Sequence, residues 1–379
     1  MRTHHTHHKD YVVTRTGRVR RRSLRGALPL AAVGLLTVVA TTACSVEPGG
    51  VELGSDWKGA RAFSLAEVDG QLTVVGVNPQ KGKAEPLVVV PSQADDNDTL
   101  APQIVRLADG QWVISVPRKG GKPDRMYRID RKDHAVAAQG AGLEPLHGLF
   151  PGKSRVAAVP GLPDEGKAGG KGQGDSSAVL VEKPADWTTD RTVKIPGTIS
   201  LAASGLDSDE LCVAQDAEDG KGRTKVATVD LLDGKVHDGA AAPEGFEAQQ
   251  LACDDGHPVL AGPGGAPGKT SGGSGKVSAE QKDGNMIVTV EGGRVDQLAV
   301  DGDTIVAAVF HDDKESLVTL DAKSGEETHR VALSGLTDAQ GLQRTEQGWL
   351  VFSDEGAAFA TSASKTAKKI TLPGKLLAS

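Results

Sequence analysis

Asp109–Gly110–Gln111–Trp112–Val113–Ile114–Ser115–Val116 opens with a tight-turn dipeptide and continues as a β-branched and aromatic run. Asp-Gly suits a hairpin turn because glycine accepts positive φ without steric cost, and the following residues favour a pleated strand. The same phrase recurs along the chain. It appears as Asp69–Val77, Gly152–Val159, Ser208–Ala214, Asp255–Ala261, Gly302–Val309 and Gln347–Ser353. Taking Leu72, Trp112, Arg155, Leu211, His257, Thr304 and Trp349 as equivalent positions, the spacings are 40, 43, 56, 46, 47 and 45 residues. The one long interval contains a Gly/Lys-rich insertion at Asp164–Asp175, and a second such stretch spans 263–276. Both read as surface loops.

Each unit carries a second hairpin. Lys225–Asp230 is followed by Leu232–Asp233–Gly234–Lys235, Ser316–Asp321 by Lys323–Ser324–Gly325–Glu326, and Arg125–Asp130 is a third copy of the strand. No segment after Ala43 sustains an apolar 3.6-residue pattern over three turns, so helices are not expected there. Two hairpins per unit make a four-stranded antiparallel sheet. Seven units of 40 to 47 residues give an all-β chain, a β-propeller of seven four-stranded blades over residues 57–379. Aromatic residues are only 3% of the chain, so Val, Ala and Leu must fill the space between blades.

Upstream, residues 1–43 have the plan of an export signal. Arginines cluster from Arg15 to Arg25, an apolar run follows from Leu28 to Ala40, and small residues precede Cys44. Thr42–Ala43–Cys44 resembles the lipobox of bacterial lipoproteins, which implies removal of residues 1–43 and diacylation of Cys44. Cleavage without lipidation, or an uncleaved anchor, are the alternatives, and the apolar run is short for the ~20 residues of a membrane span. Arg20–Arg21–Arg22–Ser23–Leu24–Arg25 resembles a twin-arginine motif, with general secretion as the other route. Residues 44–56 are expected to tether the propeller to the outer face of the cell membrane. His4, His5, His7 and His8 precede the cleavage point and make no metal site in the mature chain.

Eight of the 43 Lys and Arg residues and one of the 50 Asp and Glu residues lie in 1–43, so the remainder carries a formal net charge of −14. Such a surface repels phosphate backbones, which argues against nucleic-acid binding. With Cys44 lipidated, Cys212 and Cys253 remain. An even number in an exported chain favours a disulfide, with two buried free thiols as the alternative.

The D-G-x-x-V-x-V hairpins and second halves such as Val226–Lys235 resemble the seven-bladed propellers of the quinoprotein-like and YVTN-repeat superfamily. Enzymes of that group would imply a redox cofactor and a tryptophan after each turn. Here the turns at Asp230–Val236 and Asp321–Glu327 lack it, and Trp112 and Trp349 sit inside first hairpins as core residues. The sequence has no G-x-S-x-G, H-E-x-x-H, P-loop or paired CxxC motif. The mature histidines His134, His147, His237, His257, His311 and His329 lack ligand spacing, with His311 beside Asp312 and Asp313 as the best polar candidate. Asp95–Thr99 reads as a solvated acidic loop. No cofactor and no metal are expected. Gln103, Gln249 or Gln250, Gln297 and Gln340 each stand where an innermost strand begins. They are candidates for a ring of ligand-binding amides at the channel, or for satisfying backbone groups there. The reading that follows is a monomeric, lipid-anchored, non-enzymatic binding or scaffolding module for an envelope protein or extracellular ligand. The alternative is an exported propeller enzyme, a dehydrogenase or lyase with a site at the channel mouth.

Overall fold

Two-residue turns set the local geometry of the blades. Asp69–Gly70, Asp255–Gly256 and Asp283–Gly284 have positive φ at both positions, the conformation whose twist matches the flanking strands. The computed structural model describes residues 51–91, 101–118, 122–139, 146–160, 176–215, 224–244, 246–264 and 274–379. Cys44, the Asp95–Thr99 loop and the 164–175 insertion lie outside these residues.

The described strands form seven four-stranded sheets. Blade 1 contains β1 (Ala62–Val68), β2 (Gln71–Asn78) and β3 (Lys83–Val89). Blade 2 is β4 (Gln103–Arg106), β5 (Trp112–Val116), β6 (Arg125–Asp130) and β7 (Ala135–Gln139). Blade 3 is β8 (Leu146–Pro151), β9 (Val156–Pro160), β10 (Ser176–Lys183) and β11 (Thr188–Pro196). Blade 4 is β12 (Ile199–Ser204), β13 (Glu210–Gln215), β14 (Lys225–Asp230) and β15 (Val236–Ala241). Blade 5 is β16 (Gln250–Asp254), β17 (His257–Gly264), β18 (Val277–Lys282) and β19 (Asn285–Glu291). Blade 6 is β20 (Arg294–Asp301), β21 (Thr304–His311), β22 (Lys314–Asp321) and β23 (Glu327–Ala332). Blade 7 is β24 (Gly341–Thr345), β25 (Gly348–Ser353), β26 (Gly356–Ala360) and β27 (Lys368–Ile370). The last strand, β28 (Lys375–Ala378), returns to blade 1 as its innermost strand. The protein is a seven-bladed β-propeller.

Three features depart from the repeat pattern. First, the Asp69–Gly70 hairpin joins the second and third strands of its blade, whereas Asp109–Gly110 joins the first and second. The first repeat is out of phase because its inner strand comes from the other end of the chain. Second, blade 5 has the order β16–β17–β19–β18, and β17 pairs with β19 in parallel from Val259↔Met286 to Gly264↔Glu291. The chain runs through β18 at the outer edge before it enters β19, so the two parallel strands are not joined by a tight hairpin. The other six sheets are antiparallel throughout. Third, Val51 and Leu53, expected in a tether, are buried against Ala66, Val68 and Val75 of blade 1. Asp56 fastens this segment by accepting hydrogen bonds from Asn78 Nδ2 at 3.2 Å, Lys81 Nζ at 2.8 Å and the Gly59 amide at 3.0 Å.

The core is divided among the blade contacts. Every one of the seven interfaces holds its own apolar cluster, such as Ile305, Ala307, Val288 and Ala261 between blades 5 and 6. Small aliphatics dominate these clusters, as the low aromatic content requires. Aromatics concentrate between blades 1 and 2, where Phe63 meets Trp112 edge-on at 5.5 Å between ring centres.

The turns after the third strands share one construction. Asp130, Asp230 and Asp321 each accept, through Oδ1, the backbone N–H groups two and three residues ahead. This side-chain mimic of a backbone turn explains aspartate at that point of the repeat. The fifth residue of the turn is left-handed, and it is Gly234, Gly325 or His134. His134 tolerates the position while stacking on Trp57, with ring centres 5.2 Å apart.

Candidate functional site

Innermost strands of adjacent blades carry polar side chains that could face a ligand or face each other. The Gln103 amide does the second. Its Oε1 accepts from the Leu149 amide at 2.8 Å, and its Nε2 donates to the Leu146 carbonyl at 3.4 Å, both in the inner strand of the next blade. Gln297 Nε2 donates to the Ala339 carbonyl at 3.3 Å, again one blade onward. In blade 7 the equivalent tie is made by Gln343, which donates to the Phe63 carbonyl at 2.9 Å. Gln340 lies just outside β24 and contributes a backbone N–H to the Phe352 carbonyl. Gln249 does likewise to the Ala261 carbonyl. Of the two roles open to these residues, Gln103 and Gln297 take the backbone-satisfying one. Gln343 went unnoticed in the sequence because Gln340, three residues earlier, stood where the innermost strand was expected to begin.

Cys212 and Cys253 form a disulfide with Cα atoms 5.6 Å apart. It joins the second strand of blade 4 to the innermost strand of blade 5 within their shared apolar cluster. The catalytic potential of the thiols is therefore spent on a covalent tie between blades.

Buried carboxyls make further ties. Asp124 Oδ2 accepts from Ser115 Oγ at 2.8 Å and from the Leu146 amide at 3.3 Å, linking blades 2 and 3, and burial pushes its pKa up. Between blades 6 and 7, Arg294 forks onto Asp296 at 2.5 and 3.1 Å, pairs with Asp338, and lies 4.1 Å over the Phe310 ring. Glu315 is buried beside this group. Burial, reinforced by the charge of Asp296, pushes its pKa up to about 8. His311 sits near a carboxylate, with Nδ1 3.5 Å from Asp312. Among the described residues, no group of three or more His, Cys, Asp or Glu side chains is placed to hold a metal ion.

The described residues also form an open cleft of about 70 Å³ where blades 7, 1 and 2 meet. Its wall includes Arg61 at the start of β1, Arg106 at the end of β4 and Arg131 in the turn after β6, with Trp112, Glu346 and Gln347 completing it. All three arginines are exposed. Arg131 is held from behind. Its Nη2 donates to the Trp57 carbonyl at 3.1 Å and the Ala60 carbonyl at 2.9 Å, and the guanidinium lies 5.6 Å over the Phe63 ring. Partial burial lowers its pKa, and the positive charges of Arg61 and Arg106 lower it further. No ion pair joins any of the three to a carboxylate among the described residues. This cluster was not legible in the sequence, because its members are 45 and 25 residues apart and meet the Thr345–Gln347 turn only through closure of the ring. Arginines beside the β4–β5 and β6–β7 turns of one blade were the signal available.

Neither a family model nor a curated protein matches the sequence. Solved structures resemble the fold. An acylaminoacyl peptidase in complex with Z-Gly-Gly-Phe-chloromethyl ketone aligns with a TM-score of 0.51 at 12% identity, covering 82% of this chain and 50% of that one. The acylaminoacyl peptidase of Pyrococcus horikoshii gives 0.48 at 12% identity, over 82% and 53% of the two chains. A complex of KlAtg21 with the coiled coil of AgAtg16 gives 0.48 at 9% identity, over 83% and 98%. This chain thus spans about half the length of those peptidase chains. At these identities the likeness extends to the fold alone.

Proposed function

We propose that this chain is an exported lipoprotein, held at the outer face of the membrane through Cys44, whose propeller serves as a non-enzymatic binding module. The observation that carries the binding role is the cleft between blades 7, 1 and 2. Three guanidiniums stand there unpaired among the described residues, in a chain whose formal net charge is −7. The side-chain amides of Gln103, Gln297 and Gln343 and the carboxylate of Asp124 are taken up in tying blades together, which favours a rigid ring displaying a surface. The anchor is supported by the basic, apolar and small-residue order of residues 15–44.

Two measurements test this reading. Cys44→Ala should move the protein from the detergent phase to the aqueous phase on partition of whole membranes, with the propeller still folded. A variant that stays with the membrane after a salt wash would show an uncleaved anchor instead. An absorption spectrum and metal analysis of the protein purified from its host should show no cofactor band and no stoichiometric metal. Either signal would replace the binding module by a propeller enzyme.

A further inference from the structure

The cleft combines charge, shape and donor geometry in a way that specifies a ligand. Three guanidiniums face one carboxylate, that of Glu346, so its walls carry a net charge of two positive. Like charges gathered in one cleft disfavour the folded state, and among the described residues no ion pair joins any of the three to a carboxylate. The donors are also partly preorganised. Arg131 spends both Nη2 hydrogens on the Trp57 and Ala60 carbonyls, which leaves its Nε and Nη1 hydrogens directed elsewhere. Arg61 and Arg106 make no side-chain hydrogen bond to another described residue. Trp112, almost wholly buried, contributes an apolar wall that strengthens electrostatic attraction beside it.

Guanidinium forks match oxyanions bidentately. A single carboxylate would neutralise only half of the excess charge, whereas a phosphate monoester or inorganic phosphate carries close to two negative charges at neutral pH. The volume, several times the 10–15 Å³ that one water requires, admits such a group. We propose that this cleft binds a phosphate dianion, free or as the terminal monoester of a larger molecule. The assignment rests on the binding-module reading and names its ligand class.

Calorimetric titration of the purified full-length protein with sodium phosphate and with glycerol 3-phosphate, in low-salt buffer at pH 7.5, tests it. One site per chain is expected, weakening as sodium chloride rises. Arg61→Gln combined with Arg106→Gln should weaken binding at least about tenfold without lowering the melting temperature, since both side chains are exposed and their loss relieves repulsion in the cleft. Glu346→Gln should tighten binding, because it removes the one opposing charge. Preference for glycerol 3-phosphate would assign the monoester of a larger molecule, and equal affinity would assign free phosphate. Absence of binding to either compound up to ~10 mM, or equal binding by the double variant, overturns the assignment. In that event a blank absorption spectrum and metal analysis would leave the binding module standing, whereas a cofactor band would remove the module whatever phosphate does.

Discussion

Opening the Cys212–Cys253 bridge should lower stability by an amount set mainly by the chain it closes. The two residues are 41 positions apart. Restricting a loop of that length in the unfolded chain is worth about 4 kcal/mol by the loop-entropy relation. Unfolding of a domain of ~330 residues carries about 0.7 kcal/mol/K of entropy, so the melting temperature should fall by about 6 °C. Reduction of the wild-type protein is the cleaner perturbation, because both sulfurs stay in the blade 4–5 cluster and no cavity opens. Cys212→Ala with Cys253→Ala should fall further, since it adds the loss of packing at two buried positions. Calorimetry with and without reductant, paired with thiol titration of the unfolded protein, reads both quantities. Two titratable thiols after reduction together with a melting temperature within ~1 °C of the oxidised protein would refute the argument. Blades 4 and 5 would then be held by packing alone, with the bridge contributing nothing.

Two further outcomes follow from the ties between blades. Gly325→Ala should cost at least ~2 kcal/mol in denaturant unfolding, because the position has φ of 71° and a Cβ there would overlap the Ala279 carbonyl of the neighbouring blade; a variant as stable as wild type would show that the turn can re-form. Glu315 has a folded pKa raised from 4.5 to about 8, so the folded state holds its proton more tightly. Its contribution to stability is complete below about pH 4.5 and is lost as pH rises through about 8. Glu315→Gln keeps the shape and removes the titration, so unfolding free energies measured at pH 5, 6.5 and 8 should fall less steeply than in wild type, and identical slopes would refute the assignment.

What the sequence revealed and what it hid have physical reasons. The turns were legible because local chemistry dictates them: Asp-Gly for positive φ, and aspartate followed four residues later by glycine for the side-chain-capped turn. Periodic spacing then gave the blade count. The phase of blade 1 was not legible, because Lys375–Ala378 is short and its partner Leu65–Glu67 is some three hundred residues away. The exchange of β18 and β19 was hidden for a related reason, since alternation tells a strand's faces but not which neighbour it will pair with. Cys212 and Cys253 were readable as a pair from number and compartment. Of the glutamines, Gln103 and Gln297 were noticed for their recurrence, yet only distance to the next blade's backbone decides what they hold. Arg61, Arg106 and Arg131 are unremarkable in sequence and become a group only in three dimensions.

Closure of the ring by β28 sets an order of events. Phe63 and Gln343, which share a hydrogen bond across the last seam, are separated by 280 residues. Until β28 exists, the inner edge of β1 has no strand beside it, and an uncovered edge invites pairing with another chain. Sheets joined by contacts so remote in sequence also form slowly. During synthesis, blades 2 to 6 can assemble from their own strands as they emerge, while blade 1 waits incomplete. The circle is complete only when the last strand arrives, so a chain stalled before Lys375 would hold most of its sheets but leave blade 1 without its innermost strand.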